Sequence, residues 1–151
     1  MKIFDCFMYF DEDAVLDVRL NYLTKYVDKF IIIESRYNHK GEKREPQFDF
    51  EKFQKFKEKI NYILIDKEPA GIEEVYESDN HDEKSRKFIL NAYKRENFQR
   101  NFISQGISEA NDNDWILISD LDEIPNLEKN DLKKFQSPLV FFKQQMMYYK
   151  F

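Results

Sequence analysis

The chain has 151 residues, of which 42% are hydrophobic and 17% aromatic, and its formal net charge is −5 at pH 7. This length and composition suit one globular domain with its own core and exclude a disordered chain. The negative net charge, with no basic stripe to offset it, argues against nucleic-acid binding.

The one cysteine, Cys6, excludes an internal disulfide and suits a reducing compartment. It lies in an apolar segment, where we expect a buried and unreactive thiol. No segment is long and apolar enough to span a membrane, and the N-terminus lacks a signal-peptide pattern. We therefore expect a cytoplasmic protein without a membrane span.

The first half of the chain predicts two strands joined by a helix. An apolar run with one aspartate inside it predicts a strand over residues 2–10. Acidic residues 11–13 mark the start of a helix, and leucines at helical spacing predict that it ends near Tyr26. A second buried strand is predicted over residues 30–33, and the polar residues 34–36 follow it.

The rest of the chain predicts a long loop, two helices and three further strands. A polar loop over residues 37–47 precedes a short helix that Asp49 caps, with Phe50, Phe53 and Phe56 along one edge. The later elements are a strand over 60–65, a helix over 84–110, a strand over 115–118 and a strand over 139–149 that Pro138 opens.

This alternation predicts an α/β sandwich with a mainly parallel central sheet, flanking helices and right-handed crossovers. In such sheets, ligands bind at the carboxyl ends of the strands. Three segments rich in polar residues are expected at that edge, namely residues 9–11, 34–36 and 120–122. The sequence therefore predicts one site there.

The most informative segment is residues 114–125, in which a short apolar strand, expected to be buried on both faces, ends in acidic residues. Asp120, Asp122 and Glu123 place three carboxylates within four residues, and a divalent cation such as Mg²⁺ or Mn²⁺ would offset their repulsion. In an extended chain, Asp120 and Asp122 point to the same side, where they would hold one metal ion. The alternative is a solvated loop whose aspartate caps the next helix.

The long predicted helix carries polar residues inside an apolar face. That face is formed by Phe88, Ile89, Ala92, Ile103, Ile107 and Ala110. Glu96 and Gln99 lie within it, and Arg95 and Arg100 lie at its margins. Either Glu96 and Arg100 form an i,i+4 pair in a structural network, or the arginines approach a phosphorylated ligand while Glu96 and Gln99 order them.

Four segments resemble glycosyltransferase family 17, which includes β-1,4-mannosyl-glycoprotein β-1,4-N-acetylglucosaminyltransferases and bacterial and viral relatives. They are the opening strand, Phe30-Ile-Ile-Ile-Glu-Ser-Arg, Arg95-Glu-Asn-Phe-Gln-Arg and Ser119-Asp-Leu-Asp-Glu-Ile-Pro. The resemblance spans almost the entire chain, and its specific part is the last two segments taken together. It implies a GT-A fold, which is a Rossmann-like sandwich.

The resemblance also implies a reaction and a metal site. Asp120 and Asp122 would hold Mn²⁺ or Mg²⁺ against the diphosphate of a nucleotide sugar, with UDP-N-acetylglucosamine as the expected donor and a glycan or glycoconjugate as the acceptor. The transfer would be inverting, with a carboxylate that deprotonates the acceptor hydroxyl. Glu123 is one candidate for this base, and a residue beyond Phe151 is the other.

Six further positions are candidates for binding the donor. Arg95, Glu96, Gln99 and Arg100 match its helix motif, although the match does not imply their individual roles. Tyr9 and Glu34 would lie where such folds hold the nucleoside.

The chain is shorter than the family pattern, because family members continue beyond the position of Phe151. We therefore expect residues 1–151 to form a single nucleotide-sugar-binding domain that is incomplete at its C-terminal end. The alternative is a non-catalytic nucleotide-binding or assembly module, an oligomer in which another chain completes the sheet.

Two other functions fit the sequence less well. A phosphatase with an aspartate nucleophile places its D-x-D after the first strand and needs Thr or Val where Ile124 stands. A calcium loop starting at Asp112 would need Gly where Leu117 stands.

Overall fold

The structure, a computed structural model, describes residues 1–145 and places them in an α/β sandwich. Within this range the strands are β1 (Ile3–Tyr9), β2 (Lys29–Ser35), β3 (Ile60–Ile65) and β4 (Trp115–Ile118), and the helices are α1 (Asp13–Leu23), α2 (His81–Asn101) and α3 (Ile103–Gly106). The strands form a parallel sheet in the order β3-β2-β1-β4. The predicted fold class is confirmed.

One face of the sheet is covered by α1 and by the segments that follow β2 and β4. Alternate residues of a strand point to the same face, so Phe7 of β1 lies opposite Ile32 of β2 on this side. The helix packs Leu16, Leu20 and Leu23 against them, and all three are fully buried. The same core also contains Phe48, Phe53, Phe56, Leu117, Leu121, Leu127 and Leu132.

The opposite face is covered by α3 and the C-terminal part of α2. Its buried core consists of Phe4, Cys6, Ile31, Ile33, Ile65 and Ile103. Gly106 lets α3 approach β2 closely, because a Cβ at this position would overlap the Ile31 side chain. Cys6 is buried as predicted; burial raises the pKa of its thiol, and the neighbouring Asp5 carboxylate raises it further.

The prediction of a single helix over residues 84–110 is wrong, because this part of the chain forms two helices, α2 and α3. A capping box of Asn80 and Glu83 starts α2, and the helix ends at Asn101. Phe88 and Ile89 were expected on a buried face but are 53% and 69% exposed. No helix within residues 1–145 is both long and apolar enough to cross a bilayer.

Polar contacts explain which side of α2 is buried. The Asn91 side chain accepts a hydrogen bond from the Glu73 N–H at 2.8 Å and donates one to the Glu73 carbonyl at 2.7 Å. Lys87 donates to the Glu74 carbonyl at 3.0 Å and pairs with Asp79 at 2.6 Å. The acidic segment over residues 73–79 therefore packs against the Asn91 side of α2, because its polar groups find hydrogen-bond and ion-pair partners there. Phe88 and Ile89 are left exposed to solvent.

Three smaller predictions are also corrected. In place of a helix after Asp49 there is a 3₁₀ turn at Gln54–Phe56. The strand β4 is not buried on both faces, because it is an edge strand of the described sheet and Ile118 is 54% exposed. Residues 139–145 form no strand, because no described strand pairs with them, and the remainder of the strand predicted over 139–149 lies outside the described residues.

Candidate active site

A cavity of about 820 Å³ lies at the carboxyl ends of the parallel strands, where the sequence predicted a site. The chain passes from β1 to β2 on one side, whereas β4 pairs with β1 on the other side, so β1 marks the point where strand order reverses. The cavity is bordered by the end of β1, by α2, by residues 36–43 (the rim loop) and by residues 119–124 (the acidic loop). Its volume is in the range of small-molecule sites.

Both aspartates of the acidic loop line this cavity. Leu121, between them, is 6% exposed and packs in the core beneath the loop. Asp120 and Asp122 border the same space, but they do so from a turn at residues 121–122 and not from the extended chain that the prediction assumed. The loop caps no helix, because the next helical turn begins at Leu132. This excludes the alternative in which an aspartate of the loop is a helix cap.

The lining of the cavity is strongly acidic. Among the described residues its carboxylates are those of Glu12, Glu42, Glu96, Asp120 and Asp122. The positive side chain on the lining is that of Lys40, and His39 lies next to it. Charges of one sign in a concave site add to one another, so an anionic ligand is repelled unless a cation accompanies it.

The donor set suits a hard cation that keeps part of its shell for other ligands. Within residues 1–145 no group of three or more His, Cys, Asp or Glu side chains forms a complete metal site. Two carboxylates plus phosphate oxygens and water are the usual ligands of Mg²⁺ in nucleotide sites. Asp120 and Asp122 therefore fit a metal that is bound together with a phosphate.

The helix α2 brings its polar residues to the acidic loop. Glu96 and Gln99 line the cavity. Arg100 donates from Nη2 to Glu96 Oε1 and to Asp120 Oδ1, both at 3.2 Å. Gln99 donates to the Ile33 carbonyl at 3.0 Å and so fastens α2 to the end of β2. The predicted i,i+4 pair is therefore present, and it continues to the acidic loop.

Arg95 lies outside the cavity lining and supports the rim loop. Its Nε donates to Glu68 Oε1 at 2.6 Å, and its Nη1 donates to the His39 carbonyl at 3.1 Å. The guanidinium packs under Gly41, whose φ of 89° is a conformation that glycine adopts easily. A Cβ at Gly41 would overlap the guanidinium. Arg95 thus holds the loop that carries Lys40.

The model of glycosyltransferase family 17 matches residues 1–149. The chain belongs to glycosyltransferase family 17. Membership implies the transfer of a sugar from a nucleotide-sugar donor to a glycan acceptor. Searches of curated proteins and of solved structures found no match to the chain.

Two residues expected near the donor nucleoside of a family 17 protein differ in their surroundings. Tyr9 lines the cavity, and its hydroxyl donates to Asp13 Oδ1 at 2.5 Å. Burial raises the pKa of Tyr9, and the hydrogen bond to Asp13 raises it further. Glu34 is fully buried and is not on the lining. Its carboxylate accepts hydrogen bonds from Arg44, Tyr62 and the backbone N–H groups of Gln47 and Phe48.

Glu123, the residue considered as a general base, faces its own loop. Its Oε2 accepts the Asp120 N–H at 3.1 Å, and the residue does not line the cavity. The carboxylate therefore helps to shape the turn between the two aspartates.

Sequence reasoning missed a buried ion pair beneath the site. Arg19 and Asp5 are both fully buried, and their charged groups meet at 2.7 Å. The signal was present, because Arg19 falls between Leu16 and Leu23 on the apolar side of α1 and Asp5 interrupts an apolar strand. Two opposite charges at core positions of neighbouring elements indicate a buried pair.

Proposed function

We propose that this family 17 glycosyltransferase binds a UDP-sugar, with UDP-N-acetylglucosamine as the first choice, together with Mn²⁺ or Mg²⁺, in a GT-A-type fold. The observation that carries the proposal is the acidic cavity that Asp120 and Asp122 both line at the reversal of strand order. These carboxylates would repel a diphosphate unless a divalent cation neutralises part of its charge.

The chain's own residues would prepare this site in three ways. Asp120 and Asp122 would hold the cation, which when bound neutralises the diphosphate leaving group. Arg100 keeps the Asp120 carboxylate oriented through its 3.2 Å contact, since Glu96 holds the same guanidinium from the helix side. Lys40, on the rim loop, would add positive charge on the opposite border of the cavity.

The proposed transfer inverts the anomeric centre and ends on a glycan acceptor. It needs a carboxylate to take the proton of the acceptor hydroxyl. The Glu123 carboxylate is engaged by the Asp120 N–H. The Glu123 side chain therefore shapes its own loop and does not face an acceptor in the cavity.

Calorimetric titration of UDP in the presence and absence of Mn²⁺ tests the proposal. We expect binding that depends on the metal, and we expect Asp122→Asn to weaken it by at least about tenfold, as loss of a metal ligand does. Asp112→Asn is the matched control, because Asp112 is an exposed acid that precedes β4 at the far end of that strand. Equal affinity in the wild type and Asp122→Asn would exclude the metal site.

A second candidate function is an assembly module whose sheet is completed by another chain. The exposed edge of β4, where Ile118 is 54% exposed, favours it. Sedimentation velocity across a concentration series separates the two functions. A concentration-dependent dimer without metal-dependent UDP binding would support the assembly module, whereas a monomer that binds UDP with Mn²⁺ would exclude it.

A further inference from the structure

The Arg19 guanidinium lies between the centre of the sheet and the acidic loop. On the sheet side, its Nε donates to Asp5 Oδ2 at 2.8 Å and its Nη2 donates to Asp5 Oδ1 at 2.7 Å. The guanidinium also lies over the Phe7 ring, with 4.6 Å between its central carbon and the ring centroid. A bidentate pair fixes the orientation of the guanidinium. Because this group is planar, the directions of its remaining N–H groups are fixed as well.

Those remaining N–H groups point at the acidic loop. Nη1 donates to the carbonyl oxygens of Asp120 at 2.8 Å, Leu121 at 2.9 Å and Glu123 at 3.3 Å. Nη2 also donates to Ser119 Oγ at 2.7 Å. Three carbonyl oxygens that converge on one nitrogen require the backbone to curl around it. The Leu121 side chain then enters the core, while Asp120 and Asp122 border the cavity.

We propose that Arg19, oriented by Asp5, is the positioning residue that sets the separation and direction of the Asp120 and Asp122 carboxylates. This inference rests on the proposed function of the acidic loop as a metal and diphosphate site. The other side-chain hydrogen bonds of the loop to its own backbone, from Ser119 Oγ to the Glu123 carbonyl and from the Asp120 N–H to Glu123, do not tie it to the sheet. Besides Arg19, the Ser119 N–H donates to the Cys6 carbonyl of β1 at 3.4 Å and Arg100 contacts the Asp120 carboxylate, but Arg19 is the side chain that binds the backbone of the loop at three carbonyl oxygens.

The charge of the pair also matters for the cation. Asp5 neutralises Arg19, so the loop accepts hydrogen bonds from a guanidinium whose positive charge is already paired. An unpaired guanidinium behind the two aspartates would repel a divalent cation. The pair thus supplies donors to the loop without opposing the charge that the loop is to bind.

The decisive variant is Asp5→Leu/Arg19→Met, which replaces the whole pair by apolar side chains. Such replacements of a buried pair preserve folding in other proteins, so the change should leave the core folded while it removes the Arg19 donors from the carbonyl oxygens of the acidic loop. We expect the variant to unfold cooperatively, yet to bind Mn²⁺ with UDP at least about tenfold more weakly, the size of effect seen when the supports of metal ligands are removed. Wild-type affinity in this variant would overturn the inference.

Amide hydrogen exchange gives a second readout that does not depend on ligand binding. The N–H groups of Glu123 and Ile124 donate to the carbonyl oxygens of Asp120 and Asp122, both at 3.1 Å. In the double variant we expect these two amides to lose protection, while amides in β2 keep theirs. Unchanged protection in the acidic loop would contradict the positioning role, even if the wild type shows no metal-dependent UDP binding and the proposed function fails.

Two further variants separate positioning from loss of stability. Leu23→Ala removes a buried side chain at the last residue of α1, one turn beyond Arg19, so it should lower the unfolding temperature but leave metal-dependent UDP affinity unchanged. Arg19→Lys keeps the positive charge beside Asp5 but has one ammonium in place of the planar fork. It should fold and still show weakened binding and loss of loop protection, and wild-type values for both would overturn the proposal. If Leu23→Ala weakens binding as much as Arg19→Lys does, stability alone explains the effect and the inference fails.

Discussion

Two ion pairs on the same face of the sheet each hold a segment of the chain outside the sheet, and they do so with opposite polarity. In the first, Arg19 joins Asp5 of β1 to carbonyl oxygens of the acidic loop. In the second, Glu34 of β2 joins Arg44 to backbone N–H groups of the segment after the rim loop. In one segment a guanidinium donates hydrogen bonds to several backbone carbonyl groups, and in the other a carboxylate accepts hydrogen bonds from several backbone N–H groups.

The two pairs differ in their access to water. Arg19 is fully buried, whereas the Arg44 side chain is 14% exposed and lies over the Phe10 ring at 3.9 Å. A charge that can turn toward solvent costs less when its partner is lost than a charge enclosed in the core. The acidic loop is therefore the more strictly held of the two segments, which suits a loop that must keep two carboxylates at one spacing.

The largest expected effect is that of Asp5→Asn. The change keeps the shape of the side chain but leaves the enclosed Arg19 guanidinium without a counter-charge, so we expect a loss of about 3–5 kcal/mol in the free energy of unfolding. Urea denaturation followed by far-UV circular dichroism measures it. A loss below about 1 kcal/mol would mean that this pair stabilises the fold no more than an exposed ion pair does. The two segments would then not differ in how strictly they are held.

Glu34→Gln is the matched change in the second pair and should cost less. We expect about 1–3 kcal/mol, because Arg44 can reach water and the amide oxygen of glutamine still accepts some of the hydrogen bonds. The same urea experiment applies. If Glu34→Gln proves more costly than Asp5→Asn, access to water is not what separates the two pairs.

A pair of glycine substitutions tests how the rim loop is supported by Arg95. Gly41→Ala should lose about 1–2 kcal/mol for its positive φ, and more for the overlap with the Arg95 guanidinium. Gly71→Ala is the control, because its φ of 79° is similar and, within residues 1–145, no atom beyond its chain neighbours lies within 4 Å of the new Cβ. Thermal unfolding should show the larger loss for Gly41→Ala, and equal losses would mean that the Arg95 contact is unimportant.

The smallest effect concerns Tyr62, whose hydroxyl donates to Glu34 at 2.8 Å. Burial raises the pKa of Tyr62 above its ordinary value of 10.0, and the hydrogen bond to Glu34 raises it further. The folded state therefore binds this proton more tightly than the unfolded state. The resulting stability is present below about pH 10 and is lost as the pH rises toward the folded-state pKa.

We expect Tyr62→Phe to make stability less dependent on pH in that alkaline window. Urea midpoints at about pH 9 and about pH 11 measure the difference for both proteins. Tyr9→Phe is a useful comparison, because burial raises the pKa of Tyr9 as well but its partner is Asp13 rather than Glu34. An unchanged pH dependence in Tyr62→Phe would show that the fold does not raise the pKa of this hydroxyl.

Much of the fold was predictable because strands leave a strong local signal. The apolar run at residues 60–65 coincides with β3, and that at 115–118 coincides with β4. The position of the site was also predictable, since the carboxyl ends of parallel strands meet at one edge. Asp120 and Asp122 lie on that edge because they directly follow β4. Their role as metal ligands stays a prediction.

The partners of the charged residues were not predictable in the same way. Arg95 was considered for a phosphorylated ligand, but it contacts Glu68 and the His39 carbonyl. Glu34 was considered for a nucleoside, but Arg44, Tyr62 and two backbone N–H groups occupy its oxygens. Each of these contacts joins residues distant in sequence, and spacing along the chain carries no information about them.

The sequence by itself determined the four parallel strands, the helix between the first two of them and the family to which the chain belongs. These follow from short-range patterns, because the alternation of apolar and polar residues and the chemistry of turns act over a few neighbouring positions. Only the tertiary structure decided which side of α2 is buried and which charges meet beneath the cavity. A buried charge is stable only beside a partner of opposite charge or with hydrogen-bonding groups. That partner can come from any part of the chain, so the local sequence does not identify it.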